Sequence, residues 1–250
     1  PLSHSATVLT IHNLAYQGQG EKGVLDWMGI GPEHFTPEKF EDHGRVNFLK
    51  AAIHFSEAIT TVSPTYAHEI RTPVGGQGLA PYLSRRAHDL FGILNGIDAD
   101  IYDPSTDKHL PATFSANSQS GRLACRRELQ RRMGLWEDDS RCIVSMVSRF
   151  APGKGLDLIE GMLERSVKEM HVQFAFLGSG DPHTEWWLGE MQRKYPGVVG
   201  NWIGYHEDLA HIMYAGSDLY LMPSLFGPCG LSQMYAMRYG SLPIVRRTGG

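Results

Sequence analysis

Two cationic side chains, Arg149 and Lys154, flank a short Ala-Pro-Gly turn that follows an apolar stretch ending at Ser148. An arginine offers a planar fork of N–H donors and a lysine offers a point charge, and the two together suit a diphosphate. Backbone N–H groups of the turn add further donors for an anion. The pair therefore indicates an anion site, and the alternative is a surface turn with two solvated cations.

Two other turns in this half of the chain suit ligand contact. The turn from Gly178 to Pro182 has glycines that let a ligand approach the backbone, and a helix with N–H donors is predicted after it. A plain strand-to-helix turn explains the same residues equally well. Tyr205 stands at a predicted strand end and can stack on an aromatic base, whereas a tyrosine packed at a domain edge is the alternative.

The most specific local string is Phe-Gly-Pro-Cys-Gly-Leu at residues 226–231. A helix predicted to begin near Leu231 would aim its N–H groups at a phosphate or at sugar hydroxyls, with Gly230 and Ser232 beside them. Cys229 is interpreted as a small buried residue rather than a nucleophile, because no charged neighbour in the sequence would activate its thiol.

Fewer residues of the first half suggest chemistry. His12 and Asn13 close a predicted strand and open a long loop. A lone histidine is more often structural, and the chain has 12 of them. Asn95 lies in an Asn-Gly-Ile-Asp string that is either an ordinary turn or a loop facing a crevice between two domains.

The candidate residues must be positioned by strands and helices. The second half of the chain alternates regularly between apolar stretches and helical patterns. Such alternation predicts a doubly wound sheet of parallel strands, with ligands bound beyond the carboxyl ends of the strands. Strands are predicted at 142–147, 172–177, 198–203, 218–222 and 242–245, and helices at 155–165, 184–194, 206–215 and 231–239.

The first half is less regular. Residues 14–43 show no clean period and predict a long loop with short helical pieces. Serine followed by proline at Ser63 predicts a helix start. The remaining predicted elements are strands at 7–11, 58–62 and 91–94 and helices at 44–57 and 79–90.

Residues 103–120 are polar and predict a connector, with a domain boundary between 104 and 120. We therefore expect one domain over residues 1–110 and a second over 111–250. The helix predicted at 122–133 bears five arginines, and a solvated helix face is favoured over a basic binding site.

Composition narrows the class of protein. The 250 residues are 42% apolar, enough for a packed core, and the net charge of −4 argues against a nucleic-acid binder. No apolar run approaches the length that spans a bilayer, so no membrane partner is expected. The 3 cysteines are scattered, which argues against a disulfide framework or a zinc site and suits a reducing compartment.

Taken together, the motifs resemble the bacterial glycogen synthase and plant starch synthase family. They occur in the order of that family at residues 11–18, 62–67, 94–98, 148–157, 203–207, 228–233 and 243–250. The resemblance implies an α/β fold of two doubly wound, Rossmann-like domains facing a cleft (GT-B). It also implies transfer of glucose from ADP-glucose to the non-reducing end of an α-1,4-glucan, with retention of configuration.

The resemblance also implies roles for single residues. Arg149 and Lys154 would hold the donor diphosphate, and Tyr205 would stack on adenine. His12 would contact the donor glucose near its anomeric carbon. The other implied substrate-binding residues are Asn13, Asn95, Gly178, Cys229, Gly230, Leu231 and Ser232. No cofactor is expected, and no metal ligand is predicted, because the two cations can neutralise the leaving group and no Asp-x-Asp pair comes directly after a predicted strand.

The chain departs from the family pattern at two positions. The family has a glutamate where Gly227 stands and usually an arginine where Leu225 stands. A lost carboxylate of this kind predicts slow turnover, so the alternative function is a weakened homologue that binds a nucleotide sugar or glucan. A third possibility is a transferase that uses UDP-glucose.

The resemblance carries two expectations about context. The donor loop of the family, rich in lysine and glycine, would precede this sequence, and the last helices of the second domain would follow it, so both domains are expected to be incomplete. The expected location is the bacterial cytoplasm or the plastid stroma.

Overall fold

A computed structural model describes residues 4–250, and the chain packs as two compact units. The first unit runs through Asn95 and also includes residues 227–229 and 248–250. The second contains residues 96–226 and 230–247. Residues 1–3, where the first predicted domain begins, lie outside the described residues. The division between Asn95 and Gly96 comes earlier than the predicted boundary.

The first unit is built on a parallel sheet in the order β1-β5-β6 and a small antiparallel sheet in the order β2-β4-β3. Residues 14–43, predicted as a long loop with short helical pieces, contain such pieces and also two short strands that were not predicted. The elements in chain order are β1 (Val8–Ile11), β2 (Gln19–Gly20), α1 (Gly23–Trp27), a 3-10 turn (Pro32–His34), β3 (Glu41–Asp42), β4 (Arg45–Asn47), α2 (Phe48–Phe55), β5 (Ala58–Thr61), α3 (Pro64–Glu69), α4 (Ala80–Arg85) and β6 (Leu90–Gly92).

Two predicted helices of this unit are shorter than expected. Residues 45–47 form a strand rather than the first turn of a helix, and α2 begins only after Asn47. The Asn47 side chain caps α2 by accepting a hydrogen bond from Lys50 N–H, which fixes the start of the helix. The helix predicted at 79–90 ends at Arg85, because residues from Leu90 onward join the parallel sheet.

The second unit confirms the predicted doubly wound arrangement. Its 5-stranded sheet is parallel throughout and has the order β11-β10-β7-β8-β9. The elements in chain order are α5 (Ser120–Arg132), β7 (Cys142–Val147), α6 (Leu156–Glu169), β8 (Val172–Gly178), α7 (Pro182–Lys194), β9 (Val199–Ile203), α8 (Glu207–Gly216), β10 (Leu219–Met222), α9 (Ser232–Arg238) and β11 (Leu242–Val245).

Both faces of this sheet are covered. Successive side chains of a strand point to opposite faces, so Phe174 and Phe176 pack against α6 and α7, whereas Ala175 and Leu177 pack against α5 and α8. This two-sided burial explains why the strands are apolar along their length. It also fixes where each strand ends, and therefore where the loops that follow the strands stand.

The segment predicted as a connector belongs to the second unit. Phe114 is buried in a core cluster with Tyr239, and Asp107 is 5% exposed. Arg238 forms an ion pair with Asp103 at 2.7 Å. The structure therefore divides the units before this segment and not within residues 104–120. The reason is that a few side chains of this polar stretch bind residues of α8 and α9.

The arginines of α5 divide between two environments. Arg127 and Arg131 pair on the surface with Asp139 and Glu128, as a solvated face predicts. Arg122 instead donates to backbone carbonyls of Ala215, Ser217 and Gly240. Arg126 pairs with Asp218 at 2.7 Å, and Arg132 lies 2.9 Å from His206 Nε2. These last three arginines therefore connect α5 to other elements of the second unit.

Within residues 4–250, no helix has the length and apolar character to cross a bilayer.

Candidate functional site

Four of the predicted site residues follow three neighbouring strands of the second unit. Arg149 comes after β7, Gly178 ends β8, and Tyr205 comes after β9, while Lys154 completes the turn that Arg149 opens. Because the three strands are parallel and adjacent, their carboxyl ends meet at one edge of the sheet. A cavity of about 240 Å³ lies there, lined by Val147, Ser148, Arg149, Leu177, Gly178, Ser179, Gly204, Tyr205, His206 and Ala210.

The turn between β7 and α6 is shaped by two glycines in the left-handed region, Gly153 (φ 85°) and Gly155 (φ 76°). A Cβ at Gly155 would clash with Pro223, so the turn lies directly against the end of the neighbouring strand β10. Leu225 N–H donates to Gly153 O at 2.7 Å and holds the 224–226 segment on the same turn. The position of Lys154 is therefore set by backbone packing.

Burial lowers the pKa of Lys154, and the nearby charge of Arg149 lowers it further. Among residues 4–250 neither cation forms an ion pair or a side-chain hydrogen bond. Two cations held near each other without a carboxylate between them repel, and an anion placed between them would relieve that repulsion. The electrostatics of the turn therefore favour a bound anion.

Gly178 and Gly180 allow the turn after β8 to pack closely against the backbone that follows β7. A Cβ on Gly178 would come within 2.9 Å of the Phe150 ring, and one on Gly180 would clash with the Phe150 backbone. Asp181 caps α7 by accepting from Thr184 N–H at 2.8 Å. These contacts are those of a strand-to-helix turn, the alternative from sequence, although Gly178 does line the cavity.

Tyr205 is 86% exposed, so the packed-tyrosine alternative is wrong. It follows Gly204, whose φ of 129° falls outside the usual range of other residues. His206 accepts a hydrogen bond from Leu209 N–H and caps α8. The tyrosine ring is thus displayed beside the cavity from a position fixed on both sides.

The residues after β10 divide between the two units. Cys229 is 4% exposed and packs with the first unit, as a buried small residue would. Gly230 (φ 79°), Leu231 and Ser232 pack with the second unit, and α9 begins at Ser232. The Ser232 hydroxyl lies 3.6 Å from Met222 Sδ. Their implied contacts with a distal phosphate stay a prediction.

In the first unit, the loop after β1 makes a tight turn. Asn13 Oδ1 accepts from Ala15 N–H at 3.0 Å, and Asn13 O accepts from Tyr16 N–H at 3.2 Å. The turn leaves His12 exposed and Asn13 half-buried. Asn95, also half-buried, is the last residue of the main part of this unit. The roles implied for these three residues stay predictions.

The two positions that depart from the family pattern have different surroundings. A Cβ built on Gly227 meets nothing within 4 Å, although the glycine itself is buried. The backbone therefore leaves room for a larger side chain there. Leu225 is half-buried and lines a second cavity of about 440 Å³, together with residues of the 151–157 turn and of the start of α7.

Sequence reasoning missed a buried polar cluster in the second unit. Asp107 accepts hydrogen bonds from His211 Nδ1 at 2.7 Å, from the Tyr239 hydroxyl and from the His109 backbone N–H. Burial opposes ionisation of Asp107, but the bonds from His211 and Tyr239 outweigh it and lower its pKa. Each of Asp107, His109 and His211 has a ligand-type atom within 4.8 Å of the others. Asp107 gave no distinctive signal in the sequence, because it is one of several aspartates in a polar stretch.

Comparison with known proteins adds independent findings. The family described as starch synthase catalytic domain matches residues 1–85. A glycogen synthase of an Anaeromyxobacter species is 49% identical over all of this chain and 52% of its own length. The glycogen synthase of Geobacillus thermodenitrificans is 48% identical over 98% of this chain and 50% of its own length.

Solved structures agree on the fold. The catalytic domain of starch synthase IV from Arabidopsis thaliana, bound to ADP and acarbose, matches with a TM-score of 0.89 and 39% identity over 97% of this chain and 51% of that one. Sucrose-phosphate synthase from Thermosynechococcus elongatus matches with a TM-score of 0.55 and 16% identity over 97% of this chain and 50% of that one.

The parallel sheets and these neighbours show a fold of the GT-B class, as predicted. Within that class, the chain is similar to glycogen and starch synthases over at least 97% of its length. The chain spans about half the length of the curated relatives that it matches.

Proposed function

We propose that the protein transfers glucose from ADP-glucose to the non-reducing end of an α-1,4-glucan with retention of configuration. The observation that carries this proposal is the turn bearing Arg149 and Lys154, two cations without an ion pair among residues 4–250. Arg149 also lines the cavity at the carboxyl edge of the second sheet. The names of the glycogen synthase relatives support the reaction, and the ADP bound to starch synthase IV supports the donor nucleotide.

In this proposal the cations bind the diphosphate of the donor. Breaking the bond to glucose leaves negative charge on the diphosphate, and cations already positioned there stabilise that charge without reorganising. Arg149 would bind two phosphate oxygens at once, and Lys154 would supply a nearby point charge. A bound diphosphate would also raise the lowered pKa of Lys154 and keep that lysine protonated.

The other predicted residues complete the binding of substrate. Tyr205 stacks on the adenine ring, which its exposed position beside the cavity permits. His12 contacts the donor glucose near its anomeric carbon, and Asn13 and Asn95 bind substrate. Gly178, Cys229, Gly230, Leu231 and Ser232 complete the proposed set, and no metal enters it.

One observation favours a second candidate function. Gly227 leaves open space at the position where the family has a glutamate, and no carboxylate is supplied by that residue. A positioned acid or base typically contributes a factor of about 10² to 10⁴ in rate. The second candidate is therefore a homologue that binds a nucleotide sugar or glucan and turns over slowly.

Incubation of the protein with labelled ADP-glucose and glycogen separates the two candidates. We expect label to enter the glucan from ADP-glucose and much less from UDP-glucose. Calorimetric titrations with ADP, UDP and GDP measure the base preference. Tight ADP binding without transfer supports the second candidate, whereas absence of binding to all three nucleotides and to glycogen rejects both.

The remaining expectations about the setting of the protein stay predictions. They are the absence of nucleic-acid and membrane partners and a location in the bacterial cytoplasm or the plastid stroma.

A further inference from the structure

The helix α3 belongs to one of the motifs that carry the family resemblance, and the proposed function assigns no role to it. Its capping residue Ser63 and its residues Tyr66 and Glu69 are spaced three apart, so their side chains lie along one side of the helix. We call these three side chains the α3 polar face. Each of them contacts a different loop of the first unit.

The first contact is made by Ser63, which is fully buried. Its hydroxyl accepts a hydrogen bond from Tyr66 N–H at 3.0 Å and donates one to Pro228 O at 2.7 Å. The first bond caps the helix, as serine does at many helix starts. The second bond reaches across 165 residues of sequence and holds the 227–229 segment.

The second contact is made by Tyr66, which is 7% exposed. Its phenol oxygen accepts a hydrogen bond from Leu14 N–H at 3.0 Å. Leu14 is fully buried and directly follows His12 and Asn13. The phenol oxygen therefore provides the hydrogen-bond partner that this buried N–H needs. The bond fixes Leu14, and with it the loop that carries the predicted substrate-binding residues His12 and Asn13.

The third contact is made by Glu69. One oxygen of its carboxylate accepts from the Thr248 hydroxyl at 2.8 Å and from Gly249 N–H at 3.2 Å. Gly249 has a φ of 65°, and a Cβ there would clash with the Gly227 carbonyl. The 248–250 segment therefore packs on the 227–229 segment while Glu69 holds it.

We propose that the α3 polar face positions three loops for glucosyl transfer: 12–14, 227–229 and 248–250. This inference rests on the proposed function. Ser63, Tyr66 and Glu69 are positioning residues, because none of them is placed against the substrate. Their contacts reach loops of the first unit, and the Arg149–Lys154 turn of the second unit is independent of them. Loss of such a contact should lower kcat and leave donor KM nearly unchanged.

A structural role alone would predict a different pattern. If α3 only stabilised the fold, removing any one contact would lower the melting temperature without a selective change in the loop that the contact holds. Hydrogen exchange of single backbone amides distinguishes the cases, because it reports local opening separately for each loop. It also needs no substrate, so it tests the positioning even if the proposed reaction is wrong.

Tyr66→Phe is the sharpest variant, because it removes the acceptor oxygen and keeps the ring in the core. In the full chain we expect exchange of the Leu14 amide to rise about tenfold. We expect kcat to fall by a factor of about 10 to 100, because small displacements of reacting groups slow the reaction strongly. Donor KM should stay within about twofold of its starting value. Tyr82→Phe is the matched control, because the Tyr82 hydroxyl also bonds a loop backbone in this unit, donating to Pro37 O at 3.2 Å. Equal behaviour of the two variants would overturn the inference.

Glu69 provides a second test with an internal rescue. Glu69→Ala removes the acceptor, and we expect faster exchange at Gly249 with a lower kcat. Glu69→Gln retains a side-chain oxygen that can accept the same bonds, so it should restore most of both properties. If Glu69→Gln behaves like Glu69→Ala, or if Gly249 exchange is unchanged in both, the proposed role of Glu69 is wrong. If exchange changes as expected while no variant or wild-type protein transfers glucose, the proposed function fails and the positioning stands.

Discussion

The two units bring their predicted site residues into place by different means. In the second unit, Arg149, Gly178 and Tyr205 follow three adjacent parallel strands, so the sheet itself brings them to one edge. In the first unit, the 12–14, 227–229 and 248–250 loops are held by three polar side chains, two from a six-residue helix and one from its capping residue. Backbone topology locates a site robustly, whereas side-chain contacts locate one through a few replaceable atoms.

The largest effect is expected where the second unit supplies charge. Replacing both Arg149 and Lys154 with alanine should weaken ADP binding about a thousandfold, because two charge-assisted contacts to phosphate are lost. Calorimetry measures the affinity. The matched control is Arg165→Ala with Lys168→Ala, two exposed cations of α6 that pair with Glu169 and Glu164. Unchanged ADP affinity in the Arg149 and Lys154 variant would remove the basis for the proposed donor site.

The second-largest effect is expected on the rate of transfer, from a change in the 227–229 segment that packs with the first unit. Gly227→Glu combined with Leu225→Arg should raise the rate of glucosyl transfer about a hundredfold, because a positioned carboxylate is restored where the backbone leaves room. ADP affinity should change little, since Arg149 and Lys154 remain in place. The control is Gly227→Gln with Leu225→Arg, which has nearly the same size without the charge. Equal rates for the starting protein and the glutamate variant would contradict this explanation of slow turnover.

The smallest effect compares one exposed tyrosine from each unit. Tyr205→Ala should weaken ADP binding about tenfold, because stacking of a base on an aromatic ring contributes about 1–3 kcal/mol. Tyr205→Phe keeps the ring and should bind almost normally. Tyr16→Ala alters a tyrosine of the first unit that is 72% exposed, and it should leave ADP affinity unchanged. A loss of affinity in the Tyr16 variant as large as that in the Tyr205 variant would reject the assignment of base binding to the second unit.

The same contrast explains how much of the molecule the sequence could predict. The second half has a regular alternation, and its five strands and the helices after them lie close to their predicted positions. The sequence therefore predicts that the turn with Arg149 and Lys154 follows a strand end, and the structure places it after β7. Periodicity works here because both faces of the sheet are buried and each strand is apolar along its length.

Features that depend on distant polar contacts could not be predicted in this way. The boundary was placed too late because Asp107 and Phe114 look like ordinary residues of a polar segment until His211 and Tyr239 are brought to them. The bonds from Ser63, Tyr66 and Glu69 span 165, 52 and at least 179 residues. No local pattern encodes such partners.

The open space beside Gly227 has a consequence for how this protein can change. The path of the main chain there is set by Ser63, which holds Pro228, and by the packing of Gly249, and neither depends on what Gly227 carries. Substitution at this one position can therefore alter reactivity while the surrounding architecture persists. We therefore expect that a carboxylate at residue 227 can be lost or regained without disturbing the fold around it.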